Sequence, residues 1–286
     1  MSTTAAAETG PWPAPAKLNL MLRVLGRRED GYHRLQTVFQ FIDHCDELEF
    51  HTNPSGLVRL LNPQPDVPQD QDLVIRAARL LQAEADSGQG VDIRLHKRIP
   101  AGAGLGGGSS DAATCLLALN RLWRLHWPRQ RLAQLGLRLG ADVPIFILGQ
   151  AAWAEGVGEQ LTPMDLPEPW YLCLSPACQV STGAVFGAAE LTRDAAPIRI
   201  AAFRAGQVEN SCETLVRQRY PQVDAAMTWL GQHGQARLTG TGATVFLDCV
   251  GRAEAEGLLQ QAQQQGFKGF VAKGMNQSPL LAKLQC

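Results

Sequence analysis

The stretch Pro100-Ala101-Gly102-Ala103-Gly104-Leu105-Gly106-Gly107-Gly108-Ser109-Ser110-Asp111 carries five glycines between positions 102 and 108. Before it, Val91 to Lys97 alternates as a β-strand does, and after it Ala112 to Leu122 are mostly good helix formers. A strand that runs through glycines into a helix offers the unpaired N–H groups of the first helical turn to an anion, and the helix dipole adds about half a positive charge there. Glycine also removes the Cβ atoms that would hold phosphate oxygens at a distance. Ser109 or Ser110 is expected to cap the helix and Asp111 suits its positive end, while the two hydroxyls offer phosphate donors or a magnesium ligand. A plain strand-to-helix connection is the alternative for the same residues.

Two phosphate motifs compete for this loop. No lysine follows the glycines, so the G-x-x-x-x-G-K-[ST] pattern of P-loop NTPases is absent. Gly102, Gly104 and Gly107 do satisfy G-x-G-x-x-G, but dinucleotide binding also asks for an acidic residue about 20 positions further on. None occurs between Asp111 and Asp142; the interval holds Arg121, Arg124, Arg129, Arg131 and Arg138 instead. The loop also lies a third of the way into the chain, where the first strand of a nicotinamide enzyme does not usually fall.

The 286 residues suffice for one large or two modest domains, with 45% hydrophobic and 19% charged residues, the usage of folded globular chains. A formal net charge of -1 argues against a nucleic acid polymer as partner, which needs an excess of Lys and Arg. Seven cysteines without a C-x-x-C pair read as reduced thiols, six scattered histidines form no H-E-x-x-H, and no segment has a membrane span's length of apolar residues. A cytoplasmic protein with no membrane partner is expected.

Along the chain, residues 1–15 are rich in Ala, Thr and Pro and are expected to form a loose leader. Leu18 to Val24, Val38 to Phe41 and Glu47 to Phe50 have strand character, the first two bracketing a polar turn, Gly26 to Tyr32. Asn62 to Asp72 reads as a loop and Leu73 to Ala85 as a helix. The proline-rich Thr162 to Pro169 suggests a connection to a second domain, with boundaries expected at 16–165 and 166–286. In the second half, Ala236 to Leu247 reads as strand, turn and strand, and Ala253 to Gln265 as a helix. Strands and helices without strict alternation give an α+β fold.

Three further places carry chemistry. Lys17, in Ala16-Lys17-Leu18-Asn19-Leu20, is either an edge charge on a strand or a site residue. Asp142, in Leu139-Gly140-Ala141-Asp142-Val143-Pro144-Ile145-Phe146, is either a helix cap or a carboxylate beside small residues that let a substrate approach. Together they offer what phosphoryl transfer to an alcohol needs, an acceptor for the hydroxyl proton and a cation for the developing charge. The turn Leu238-Thr239-Gly240-Thr241-Gly242-Ala243 is either a hairpin or an anion nest.

In this order, with paired serines after a Pro-x-x-x-Gly-Leu loop, these motifs resemble the superfamily of galactokinase, homoserine kinase, mevalonate kinase and phosphomevalonate kinase (GHMP). Arg28-Glu29-Asp30-Gly31-Tyr32-His33 and Val271-Ala272-Lys273-Gly274 extend the match over nearly the whole chain. The resemblance implies a two-domain fold, an N-terminal ATP domain like ribosomal protein S5 domain 2 and a ferredoxin-like C-terminal domain, with a cleft between. It implies transfer of the γ-phosphate of ATP, with Mg²⁺, to the 2-hydroxyl of a methylerythritol carried on cytidine diphosphate, a step toward isoprenoids by the non-mevalonate route. The implied partner is that small molecule, and the protein a monomer or weak homodimer.

The resemblance also assigns roles. Asp142 is the base and Lys17 its partner; Pro100 to Ser110 hold ATP. Asn19 and His33 bind substrate, Tyr32 and Phe186 sandwich its cytosine, and Thr182, with Gly240, Thr241 and Gly242, lines the same pocket. Asp72, Leu73 and Lys97 are adenine candidates. Asp111 stands where relatives commonly have Asn, and Asn210-Ser211-Cys212-Glu213 resembles a family segment usually reading Asn-Asp. A homoserine- or mevalonate-type kinase, or a regulator without catalysis, is the alternative; an aliphatic substrate gives no reason for an aromatic sandwich.

Overall fold

The computed structural model describes residues 10–65 and 67–285. Trp12–Arg27 (β1) and His33–Asn53 (β2) form a long antiparallel hairpin, closed by a turn in which Arg28 N donates to the Tyr32 carbonyl. There follow Val58–Leu60 (β3), Leu73–Glu84 (α1), Gly90–His96 (β4), Gly107–Leu122 (α2), Arg129–Leu137 (α3), Val143–Leu148 (α4), Ala152–Glu155 (β5) and Gln160–Pro163 (β6). The second half contains Trp170–Leu174 (β7), Thr182–Gly187 (α5), Ile200–Arg204 (α6), Glu213–Arg219 (α7), Pro221–Gly231 (α8), Arg237–Leu238 (β8), Val245–Cys249 (β9), Arg252–Gln264 (α9), Gly269–Met275 (β10) and Pro279–Gln285 (α10).

The strands join in the order β3-β4-β2-β10-β7-β9-β8, with β1 and β5 also on β2 and β6 on β5. Among the described residues every pair is antiparallel except β3 with β4. The fold is α+β, as expected. No helix among the described residues is long and apolar enough to cross a membrane.

Two expectations about the first strand need correction. Residues 1–9 of the expected leader lie outside the described residues, but Trp12 to Pro15 are strand, with Trp12 opposite Leu48 and Pro15 opposite Cys45. Prolines are tolerated there because the first residues of β1 pair with β2 alone, which leaves no ladder partner on the other side for Pro13 and Pro15 to donate to. The short runs expected at Leu18–Val24, Val38–Phe41 and Glu47–Phe50 are parts of these two long strands. Register shifts fall between Pro15 and Ala16, Asn19 and Met21, and Val24 and Gly26, and residues 14–22 and 36–42 are buried on both faces, so the chain shows no continuous two-residue alternation there.

The sheet runs across the expected division at 165/166. Gly274 and Met275 of β10 pair with Ile42 and Phe41 of β2, and Leu280 of α10 is buried in the core built around α1, α2 and β2. A second core lies among α5, α7, α8, α9 and β9, and a third, with Leu18, Val38, Tyr171, Phe246 and Ala272, joins the halves. Helix α2 is buried continuously from Ser110 to Leu119, so its N-terminus is anchored by the interior of the first core.

Candidate active site

The chain emerges from β4, turns through Pro100 to Leu105 and enters α2 with Gly102, Gly104 and Gly106 at φ of 64°, 75° and 74°. These are left-handed conformations that side chains resist, so the turn requires glycine there. Gly106 occupies the N-cap position without a side-chain cap, and Ser109 and Ser110 already lie inside the first turn. The expected serine cap is therefore absent. Its place is taken by open backbone N–H groups facing the cleft, the arrangement an anion needs.

Lys17 reaches this point from β1. It is 3% exposed, its backbone N donates to the Leu105 carbonyl at 3.0 Å, and its Nζ donates to Asn19 Oδ1 (2.6 Å) and the Gly104 carbonyl (2.9 Å). A Cβ on Gly106 would lie 3.0 Å from Lys17 Cε and 2.9 Å from the Phe146 ring, so this glycine makes the passage for the lysine. Asp142 Oδ2 lies 3.4 Å from Lys17 Nζ. Asp142 does stand at the N-cap position of α4, yet its side chain caps nothing and is 37% exposed. Lys17 is accordingly no surface edge charge, and the Asp142 carboxylate is left for chemistry.

The second glycine turn completes the site. Thr244 N donates to the Ala103 carbonyl, and Thr239 Oγ1 accepts from Asn19 N and donates to the Gly104 carbonyl. Asn210 Nδ2 donates to the carbonyls of Leu238 (2.8 Å) and Gly240 (2.9 Å), which gives the Asn210 segment a structural task. Thr182 and Thr241 share a hydroxyl hydrogen bond of 3.0 Å. Asn19 Nδ2 is held by Thr37 Oγ1, itself bound to the Met21 carbonyl.

A cavity of about 1120 Å³ joins these parts and is lined by Lys17, Asn19, Tyr32, His33, Asp142, Thr182, Phe186, Gly240, Thr241 and the loop from Pro100 to Ser109. Two expected members do not line it. Ser110 is fully buried, and Gly242 packs against Leu238 and Val216. Tyr32 stands at the rim, 61% exposed. Phe186 packs its ring on His33, with centroids 5.1 Å apart and planes at 30°.

The adenine candidates separate. Leu73 lines the cavity opposite Gly108. Asp72 also borders it, but its carboxylate caps α1, accepting from Val74 N at 2.8 Å. Lys97 forms ion pairs with Asp46 and with Asp111 (2.8 Å). Asp46 also accepts from the backbone N–H of Arg98 and Ile99, tying the start of the glycine loop to β2. Burial works against the Lys97 charge, but the two carboxylates prevail and raise its pKa. Asp111 is pushed up to about 8, chiefly by burial and further by Asp46, with Lys97 opposing. Two buried carboxylates sharing one ammonium leave one of them favouring its proton.

Among the described residues no three His, Cys, Asp or Glu gather to hold a metal unaided. Ser110 Oγ is buried without a hydrogen-bond partner in the first turn of α2.

Comparison with known proteins fits this geometry. Residues 72–150 match the family described as GHMP kinases N terminal domain. The 4-diphosphocytidyl-2-C-methyl-D-erythritol kinase of Nitrosococcus oceani is 56% identical over 96% of this chain and 98% of its own length. That of Alkalilimnicola ehrlichii is 54% identical over 96% and 94%. A crystal structure of 4-(cytidine 5'-diphospho)-2C-methyl-D-erythritol kinase superposes with a TM-score of 0.80 at 34% identity, covering 93% of this chain and 99% of that one. A mevalonate kinase structure, at a TM-score of 0.68 and 14% identity over 94% and 100%, shares the fold.

Proposed function

The chain belongs to the family of 4-diphosphocytidyl-2-C-methyl-D-erythritol kinases, and on that premise we propose that its cleft transfers the γ-phosphate of ATP to the 2-hydroxyl of 4-diphosphocytidyl-2-C-methyl-D-erythritol. The products are the 2-phosphate and ADP, in the non-mevalonate route to isoprenoid precursors. The observation that carries the site assignment is the Lys17–Asp142 pair, 3.4 Å apart beside the open N-terminus of α2.

Asp142 accepts the proton of the substrate hydroxyl as its oxygen attacks the γ-phosphorus. Lys17, held by Asn19 and the Gly104 carbonyl, offsets negative charge on the attacking oxygen. The N–H groups from Gly106 onward hold the phosphates, and Leu73 borders the nucleotide. Tyr32 and Phe186 take the cytosine between them, which an aliphatic alcohol would not require. The Ser109 hydroxyl, which borders the cavity at the start of α2, is the one that would face a Mg²⁺ ion arriving with ATP; when bound, the ion would neutralise phosphate charge. A cytoplasmic monomer or weak homodimer is the accompanying proposal.

A coupled ADP-release assay with Mg-ATP and, in parallel, the cytidyl substrate, homoserine and mevalonate tests this. Turnover of the cytidyl compound alone is expected. Turnover of only homoserine or mevalonate would refute the substrate.

A further inference from the structure

Arg193, in the segment after α5, spends its guanidinium on one cluster of groups. Its Nη2 donates to the carbonyls of Phe186 (2.9 Å) and Ala188, and its Nη1 to that of Leu191 (3.1 Å). Its Nε donates to His33 Nε2 at 3.0 Å. A guanidinium has no lone pair with which to accept and keeps its proton in proteins, so His33 Nε2 has to be the acceptor. A neutral imidazole that accepts through one nitrogen carries its hydrogen on the other. The His33 proton therefore sits on Nδ1.

Nδ1 makes no hydrogen bond to any described residue and is not among the sealed, unpartnered polar atoms. It belongs to a ring that lines the cleft and packs on Phe186. One arginine thus fixes both the face of the pocket that stacks and the edge that donates.

We propose that Arg193 is a specificity-determining positioning residue, which presets His33 Nδ1–H as a donor toward a ring acceptor of the substrate's pyrimidine. The inference rests on placing the cytosine between Tyr32 and Phe186. Cytosine offers two ring acceptors, N3 and O2, so a donor oriented beforehand matches it without the ring having to flip or exchange its proton on binding. Burial, the Arg193 charge and the Arg27 charge, in that order, lower the His33 pKa and keep the ring neutral. A protonated ring could not accept from Arg193, and the clamp on the Phe186 carbonyl would lose its neighbour.

The test begins with the wild-type protein labelled with ¹⁵N-histidine, the His33 signals assigned by their loss in His33→Phe. A proton-bearing shift at Nδ1 and a bare one at Nε2 are expected near neutral pH; the opposite tautomer, or an imidazolium, overturns the proposal. In turnover assays Arg193→Met is expected to raise the KM of the cytidyl substrate roughly tenfold or more, as loss of a charge-assisted hydrogen bond does, with the KM of ATP unchanged. Arg193→Lys, which retains a donor, is expected to recover part of that loss.

In a His33→Phe background the same Arg193→Met change is expected to add less than about threefold, because the coupled partner is already gone. An equal penalty in both backgrounds overturns the proposal, since Arg193 would then act only by packing the segment after α5. A normal cytidyl KM in His33→Phe removes the pyrimidine from this pocket and the inference with it, and that failure is separable because the tautomer measurement does not involve substrate.

Discussion

Replacing Gly104 by alanine probes the junction on which both glycine turns and the placement of Lys17 depend. A Cβ at this position would lie 2.3 Å from the Thr239 carbonyl oxygen and 2.9 Å from that of Gly242, both backbone atoms. A carbon-to-oxygen contact relaxes only near 3.3 Å, so the two turns must part by about 1 Å. The Gly104 carbonyl that would move with the loop is itself the acceptor for Lys17 Nζ and Thr239 Oγ1.

Left-handed backbone costs alanine about 1–2 kcal/mol and overpacking about 1–3 more, so a loss of roughly 2–5 kcal/mol is expected. At about 2 °C per kcal/mol for a chain of this size, Tm should fall by about 4–10 °C. A misplacement near 1 Å beside the reacting groups predicts a kcat about 100-fold lower. Gly102→Ala is the control, because Gly102 has a similar φ of 64° but only the Gln179 side chain, 3.8 Å away, near its added Cβ. That variant should lose only the backbone term, about 1–2 kcal/mol, and keep its kcat. Calorimetry and the ADP-release assay read both quantities. If Gly104→Ala turns over within threefold of Gly102→Ala, the close approach does not hold Lys17 in place and the reasoning fails.

Asp142→Asn is expected to lower kcat by about 10²–10⁴ while ATP still binds; near-normal turnover would remove Asp142 as base. Tyr32→Ala should raise the KM of the cytidyl substrate by roughly 10- to 100-fold, the worth of one base–aromatic stack, and an equal rise for ATP would speak against stacking. The raised pKa of Asp111, about 8 against an ordinary 3.8, means that the folded state keeps a proton that the unfolded state releases. Its contribution to stability is therefore full below about pH 4 and is lost as pH rises through about 8. Urea unfolding of Asp111→Asn and wild type at pH 5 and pH 9 should show the difference moving in the variant's favour at the higher pH; a constant difference would refute the buried, proton-favouring carboxyl.

The parts legible from sequence were those with local causes. Leu73–Glu84, Gly107–Leu122 and Arg252–Gln264 announce themselves by spacing and composition, and Asp72 caps the first of them as its type predicts. Lys17, Asp142, Tyr32, His33 and Phe186 were marked by motif, and the fold brings them to one cavity. What escaped depends on distant partners. Asp46 meets Lys97 across 51 positions and Arg193 meets His33 across 160, and neither residue differs, in its own stretch of chain, from an ordinary surface charge. The strand lengths escaped for a different reason, because residues 14–22 and 36–42 are buried on both faces and so carry no two-residue alternation.

The return of the final helix to the first core bears on how the protein is made. Leu280 is 1% exposed among side chains contributed by α1, α2 and β2, and Phe41 and Ile42 of β2, paired on one side with β1, gain their partners on the other side only when Gly274 and Met275 arrive. A nascent chain that has already delivered the glycine loop still lacks a wall of that core and a stretch of pairing on its longest strand. The half synthesised first is thus completed by residues synthesised near the end, and until then an apolar surface and an open strand edge wait for chaperones or for aggregation.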